Sequence, residues 1–261
     1  SMTGRISVEK AGHLGYLIFD QRDRLNALSA AMWRAIPEAA DALDRDPDVR
    51  VVILRGAGDA AFVAGADISE FEQSRTPENR ERYDAENAAA YVAIAAISKP
   101  TIAMVHGFCI GGGLAIALQA DLRYVADDAR LGIPAARLGL GYGFDGLAQL
   151  KDLVGPSFAK ELLFTAKRFR AEEARAMGLV NGVFAKADLE REVTELANTI
   201  AENAPLTLKS AKRCIDQSLR DPGLRDHAAI SAGIAACYES ADYREGVRAF
   251  LEKRSAAFEG G

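Results

Sequence analysis

Cysteine is scarce: Cys109, Cys214 and Cys237 are the three in 261 residues. So few, so scattered, exclude a disulfide framework and a cysteine-built zinc site, no metal is expected, and a reducing, cytoplasmic setting is. Histidine is equally rare, at three, and none is spaced to activate Cys109, which therefore reads as a small buried side chain. No apolar run reaches the roughly 18 residues of a membrane span. The opening SMTGRISVEK lacks the apolar stretch of a signal peptide, so no membrane is expected. Dense basic patches are missing as well, and 32 Lys and Arg against 37 Asp and Glu leave a formal net charge of −5, which argues against nucleic acid. A phosphate-bearing ligand survives that exclusion, because a few local Arg or Lys bind phosphates within an acidic chain. Length is not lacking: 261 residues suffice for one large domain, or one with an appendage.

The stretch around which the chain is organised is residues 100–121, PTIAMVHGFCIGGGLAIALQAD. Residues 101–105 are apolar and β-branched, bounded by Pro100 and by His106-Gly107, as a buried strand requires. Gly111, Gly112 and Gly113 then open an apolar helix. Glycines let a backbone approach a ligand closely, and the first helical turn leaves N–H groups unpartnered at the positive end of the dipole. Such a turn suits an anion or a developing oxyanion; close packing of helix on strand explains the same glycines. The dinucleotide fingerprint is excluded, since it needs a glycine where Ile116 stands. A second strand, VRVVILRG at residues 49–56, leads into FVAGADISEF at 62–71, again small residues before a turn of helix. Ala66 there offers a second backbone N–H, and two donors on one oxygen make an oxyanion hole.

FVAGADISEF, then 27 residues, then KPTIAMVHGFCIGGGLAIALQAD resembles the crotonase, or enoyl-CoA hydratase/isomerase, superfamily, and the resemblance runs over essentially the whole chain. It implies an α/β fold, a crotonase-like spiral of β-β-α turns over residues 1–190, with a C-terminal helical trimerisation region over 191–261. The implied oxyanion donors are the N–H groups of Ala66 and Gly112, gripping the thioester oxygen of an acyl-CoA. Coenzyme A arrives as part of that substrate, with no prosthetic group. The implied contacts to it are Arg24, Leu25, Ala27 and Leu28, then Ala64, Ala66, Asp67 and Ile68, with Phe250 and Lys253 reaching a neighbouring subunit's CoA in a homotrimer or dimer of trimers. Without the family, Arg24 belongs to a solvated basic loop, Asp67 and Glu70 cap a helix start, and EGVRAFLEKRSAAF is an amphipathic helix.

Elsewhere, residues 5–10 and 14–20 read as a hairpin, and Ser29 caps a helix over 30–44 that Pro37 should kink or break. Residues 76–97 read as one long helix, 122–126 as a strand, and 131–146 as a glycine-rich loop; the resemblance implies that the long helix walls the acyl pocket, with Tyr83 and Tyr91 setting substrate size. Short helices are expected over 146–154, 156–165 and 171–177, a strand in GLVNGVF, and helices from Ala187 on, broken at Asn203-Ala204-Pro205.

One departure stands out. Hydratases of the family carry two glutamates that position and protonate water; the matching positions here are Ala115, after the glycine run, and Ala135, in Gly132-Ile133-Pro134-Ala135. Each general acid or base contributes about 10²–10⁴-fold, so ordinary hydration should be badly impaired. A backbone oxyanion donor, worth about 10²–10³-fold, is indifferent to those changes. Two residues remain as candidates for other chemistry. Tyr142, in Leu138-Gly139-Leu140-Gly141-Tyr142, matches the spacing of a tyrosine in family decarboxylases, or is a half-buried tyrosine among glycines. Asp145 falls where isomerases and dehalogenases carry an aspartate, or is an N-cap. His106 braces a turn, and Arg137 attracts a substrate carboxylate or pairs at the surface.

Overall fold

Two β-rich runs separated by Gly12-His13 fold back, as expected, into an antiparallel hairpin of β1 (Arg5–Ala11) and β2 (Leu14–Asp20). The computed structural model describes residues 4–67, Glu70 and residues 76–261. Helix α1 (Ala30–Arg45) follows, its start capped by the Ser29 hydroxyl, which accepts from Met32 N at 3.2 Å. Each later turn of chain again supplies two strands and a helix: β3 (Val51–Gly56), β4 (Ala61–Val63) and α2 (Pro77–Ala95), then β5 (Thr101–Val105), β6 (Phe108–Ile110) and α3 (Gly112–Ala117), then β7 (Leu122–Ala126), β8 (Arg130–Gly132) and α4 (Ala135–Leu138). The chain continues through α5 (Phe144–Thr165), β9 (Phe169–Arg170), α6 (Ala171–Met177) and β10 (Gly182–Phe184) to α7 (Leu189–Ala201), α8 (Pro205–Ser218), α9 (His227–Glu239) and α10 (Ala241–Glu252).

The first strand of each turn joins one sheet, in the order β1-β2-β3-β5-β7-β10; the second strands form another, β4-β6-β8-β9. All pairings beyond the hairpin are parallel except β8 with β9. Side chains of β3 and β5 alternate between two cores. Val52, Leu54, Ala103 and Val105 face α1 and the second sheet, through Met32, Trp33, Ile36 and Leu43. Val51, Ile53, Ile102 and Met104 face α7, through Leu189, Val193, Ala197 and Ala201. A strand covered on both faces has no polar side to show, which is why these runs read as continuously apolar.

Several expectations are corrected. Pro37 neither breaks nor interrupts α1, which runs through it from Ala30 to Arg45; the buried stripe of Trp33, Ile36, Ala40 and Leu43 holds both halves in place. The loop expected over 131–146 contains the end of β8 and all of α4. Strands β4, β6 and β8 are three residues each, too short to carry a period. The helices expected at 146–154 and 156–165 are found as the two halves of α5, divided at Gly155, whose φ of 82° no helix allows; only the first starts earlier, at Phe144. The helical tail breaks at residues 202–204 as expected and again near 219–226 and at Ser240. No helix among the described residues is long and apolar enough to cross a membrane.

Candidate active site

Parallel pairing brings the glycine run and the Ala66 segment together. Ala61 stands opposite Phe108 and Phe108 opposite Arg130, so β4, β6 and β8 end at one edge of their sheet. The residues that follow them, 64–66, 111–113 and 133–135, therefore meet at the carboxyl ends of parallel strands, where open α/β sheets bind ligands. The contacts are tight. The Val63 carbonyl occupies the space a Gly113 side chain would need. Gly111, at φ 57°, donates its N–H to Gly132 O at 2.8 Å, and Pro134 Cδ lies 3.6 Å from where its β-carbon would be. Gly112 is the first residue of α3, so its N–H has no intrahelical acceptor. Ala66 forms a β-bridge with Leu28, in which Leu28 N donates to Gly65 O at 2.9 Å and Asp67 N to Leu28 O at 3.0 Å. That bridge uses the amides on either side of Ala66 N. Neither Ala66 N nor Gly112 N donates to an acceptor among the described residues.

The loop before α1 is zipped to the same segment. Ala64 N donates to Leu25 O at 3.1 Å, and Arg24 reaches the Asp67 carboxylate at 2.9 Å. Gln21 Nε2 donates to Ala27 O at 2.6 Å and to Asp67 at 3.3 Å. Leu25 and Asn26 both lie in the left-handed region, at φ 52° and 58°. Asparagine tolerates that conformation, and Asn26 is held in it by bonds from its side-chain amide to Ala57 O and Ala61 O. Leucine does not, and Leu25 is also exposed. Strain of this kind, about 1–3 kcal/mol, collects at ligand-binding segments. Glu70 caps a helix, as expected, but the helix is α1: its carboxylate accepts from Ala30 N at 2.7 Å.

Aromatic side chains wall the Gly112 side. Trp33 and Tyr91 meet edge to face at 5.5 Å. The Trp33 ring edge lies 3.0 Å, and Tyr91 Oη 3.8 Å, from the point a β-carbon on Gly112 would occupy. Burial pushes the Tyr91 phenol well up, and the neighbouring Tyr142 and Tyr83 hydroxyls push it further. Burial likewise raises Tyr83 and Tyr142. The Tyr142 ring folds over Gly146 on α5. Neither Tyr91 Oη nor Tyr142 Oη has a hydrogen-bond partner among the described residues. Trp33 Nε1 and Asn87 Oδ1 are buried without one as well. Ala115 and Ala135 are both buried.

Other candidates fall outside. Asp145 sits within the first turn of α5, exposed and without an ion pair among the described residues; the N-cap is Gly143, not Asp145, because the helix starts at Phe144. Phe250 and Lys253 are exposed at the end of α10. Ile68 lies outside the described residues. Cys109 is fully buried, and that burial pushes its thiol up, so it is no nucleophile. His106 is a buried turn residue whose Nδ1 lacks a partner; Arg137 is exposed on α4. Sequence reasoning missed Trp33, whose apolar helical spacing reads as plain core, and the bracing role of Gln21 and Asn26. The one available signal was Asn26 within the short polar run before Ser29.

Known proteins match this arrangement along nearly the whole chain. The sequence profile of the enoyl-CoA hydratase/isomerase family matches residues 9–261. The chain is 35% identical over 249 residues to a short-chain-enoyl-CoA hydratase of Clostridium acetobutylicum, covering 95% of each protein. It is 36% identical over 253 residues to a crotonyl-CoA hydratase of Syntrophomonas wolfei, covering 97% of each. Among solved structures, an enoyl-CoA hydratase/carnithine racemase from Magnetospirillum magneticum superposes with a TM-score of 0.92 at 35% identity, over 99% of this chain and 96% of the other. With a shared fold, a shared profile and relatives of this likeness, the chain belongs to the enoyl-CoA hydratase/isomerase family, with the crotonase fold and an acyl-CoA thioester as its class of substrate.

Proposed function

We propose that Ala66 N–H and Gly112 N–H together hold the thioester oxygen of an acyl-CoA as it becomes an enolate, and that the chain is a poor hydratase. The observation that carries this is the pair of amides at the adjoining ends of β4 and β6, neither given to an acceptor among the described residues. Donors already in place lose nothing to reorganisation as charge develops, which is what makes such a pair worth about 10²–10³-fold per donor. The strained, exposed Leu25 and the Arg24–Asp67 pair support a CoA-binding role for Arg24, Leu25, Ala27, Leu28, Ala64 and Asp67. Ile68, Phe250 and Lys253 complete the set by family resemblance, the last two from a neighbouring subunit of a trimer or of a dimer of trimers. Water addition suffers because buried methyl groups at Ala115 and Ala135 stand at the positions of the hydratase carboxylates. Turnover of crotonyl-CoA measures this: it is expected to be very low, and a rate within about tenfold of ordinary family hydratases refutes it.

A second set of reactions, decarboxylation, isomerisation or thioester hydrolysis, is favoured by the unpartnered hydroxyl of Tyr142. A buried neutral phenol is a hydrogen-bond donor for a substrate carboxylate or carbonyl. Tyr142→Phe then abolishes turnover on the right substrate while CoA binding persists. Asp145→Asn is the companion variant; full activity in both removes this set. If a panel of malonyl-, enoyl- and aryl-CoA thioesters yields no product while calorimetry shows binding, the protein is a CoA-binding protein without catalysis.

A further inference from the structure

Tyr91 is the residue the enolate chemistry has left unused, although its hydroxyl lies beside Gly112. Its Oη lies 3.8 Å from the point where a Gly112 β-carbon would stand. A β-carbon sits about 2.5 Å from its own amide nitrogen, so Tyr91 Oη lies at most about 6.3 Å from Gly112 N. One oxygen accepting from both, at about 2.9 Å from the amide and about 2.7 Å from the hydroxyl, bridges up to about 5.6 Å. Tyr91 comes from α2, a different helix from the one that Gly112 opens. Its ring is pinned edge-on by Trp33, whose own ring edge packs against the same glycine. That packing fixes the approach of the hydroxyl. The phenol is half-buried, and its hydroxyl makes no hydrogen bond among the described residues, so it is available to a ligand.

We propose that Tyr91 is a catalytic residue, its hydroxyl the third donor to the thioester oxygen, beside the amides of Ala66 and Gly112. This rests on the enolate chemistry assigned to those two amides. The hydroxyl stays protonated through the reaction and hydrogen-bonds to the oxygen as negative charge grows there; no bond to the phenol oxygen breaks. Burial, which holds the phenol neutral, suits it to donate and unsuits it to act as a base. The role differs from that of Tyr142, whose ring lies over Gly146 on α5 and for which the structure gives no contact with Gly112.

A 3-oxoacyl thioester such as acetoacetyl-CoA tests the proposal, because its enolate absorbs in the near ultraviolet and reports oxyanion stabilisation without turnover. Bound to the wild-type protein it is expected to enolise at lower pH than when free. Tyr91→Phe should cut that stabilisation about tenfold, the scale of one charge-assisted hydrogen bond, while affinity for free CoA stays as in the wild type. Enolate stabilisation unchanged in Tyr91→Phe overturns the third donor and leaves the two amides standing. An equal loss of enolate and of free CoA binding also overturns it, since that marks a structural role. No enolate signal in the wild type overturns the two-amide chemistry itself.

Discussion

The carbonyl oxygen of Val63 stands where a β-carbon on Gly113 would have to go. Val63 ends β4 and Gly113 lies in the first turn of α3, so this close approach bears on how near the Ala66 and Gly112 amides come. Gly113→Ala is expected to destabilise the fold by about 1–3 kcal/mol, as overpacking does, and to weaken acetoacetyl-CoA enolisation. Gly141 has nothing within 4 Å of its β position, and Gly141→Ala should stay within about 0.5 kcal/mol of wild type. Urea midpoints compare them; coincident curves for all three proteins would contradict the packing.

Arg24 reaches across to Asp67 while half its side chain remains in solvent. If it also meets the phosphates of CoA, Arg24→Gln should weaken CoA and acyl-CoA alike by about tenfold or more, the scale of a charge-assisted bond. The loss should shrink as salt rises, because screening already weakens the wild-type contact. Calorimetry at two ionic strengths reads this out, and equal affinity in both proteins at low salt would confine Arg24 to its pairing with Asp67.

Restoring carboxylates tests the missing-glutamate explanation directly. The pair Ala115→Glu and Ala135→Glu should raise crotonyl-CoA hydration at least tenfold, a small part of what two acid–base groups contribute in full, because the buried sites must shift to admit them. A folded double variant with wild-type hydration rates would show that something other than these two side chains limits the reaction.

His106 is buried, and burial together with Lys186 holds its pKa below the usual 6.5, with Asp128 and Asp59 opposing the trend and Arg55 adding to it. The unfolded chain therefore takes up a proton near pH 6.5 that the folded chain refuses. Stability from this source is complete above that pH and is lost as the pH falls from there toward the folded value. Thermal midpoints should drop as pH goes from about 7.5 to about 5.5, and less steeply in His106→Gln; parallel slopes would assign the drop to other groups.

Phe250 is 83% exposed and Leu251 74% on the last helix. Large apolar side chains so exposed mark a contact with another molecule, here proposed to be a second copy of the chain. Sedimentation should give a trimer or hexamer for the wild type and smaller species for Phe250→Asp. A wild type that sediments as a monomer removes Phe250 and Lys253 from the CoA site.

Much of this was legible from residue order alone, and the reason is local. Thr101 to Val105 reads as a strand because each residue is apolar or β-branched, and Gly111-Gly112-Gly113 as a close approach because glycine permits one, which the structure requires at Gly113. Ala115 and Ala135 are visible as departures by comparison of motifs. Strands β4, β6 and β8 were not legible, since three residues carry no period and their existence depends on one another through parallel pairing. Pro37 misled for a related reason: the lost hydrogen bond is a local cost, and the buried face of α1 outweighs it.

What the sequence by itself determined is chemistry that belongs to single segments: a glycine turn with free amides, an absent pair of carboxylates, buried strands and a family. Only the tertiary structure decided which segments share a site. It set Val63 against Gly113, zipped residues 24–28 to 64–67, left Asp145 in solvent and turned Tyr91 toward Gly112. Those contacts join residues far apart along the chain, and their energy comes from packing and pairing that exist only once both partners are in place.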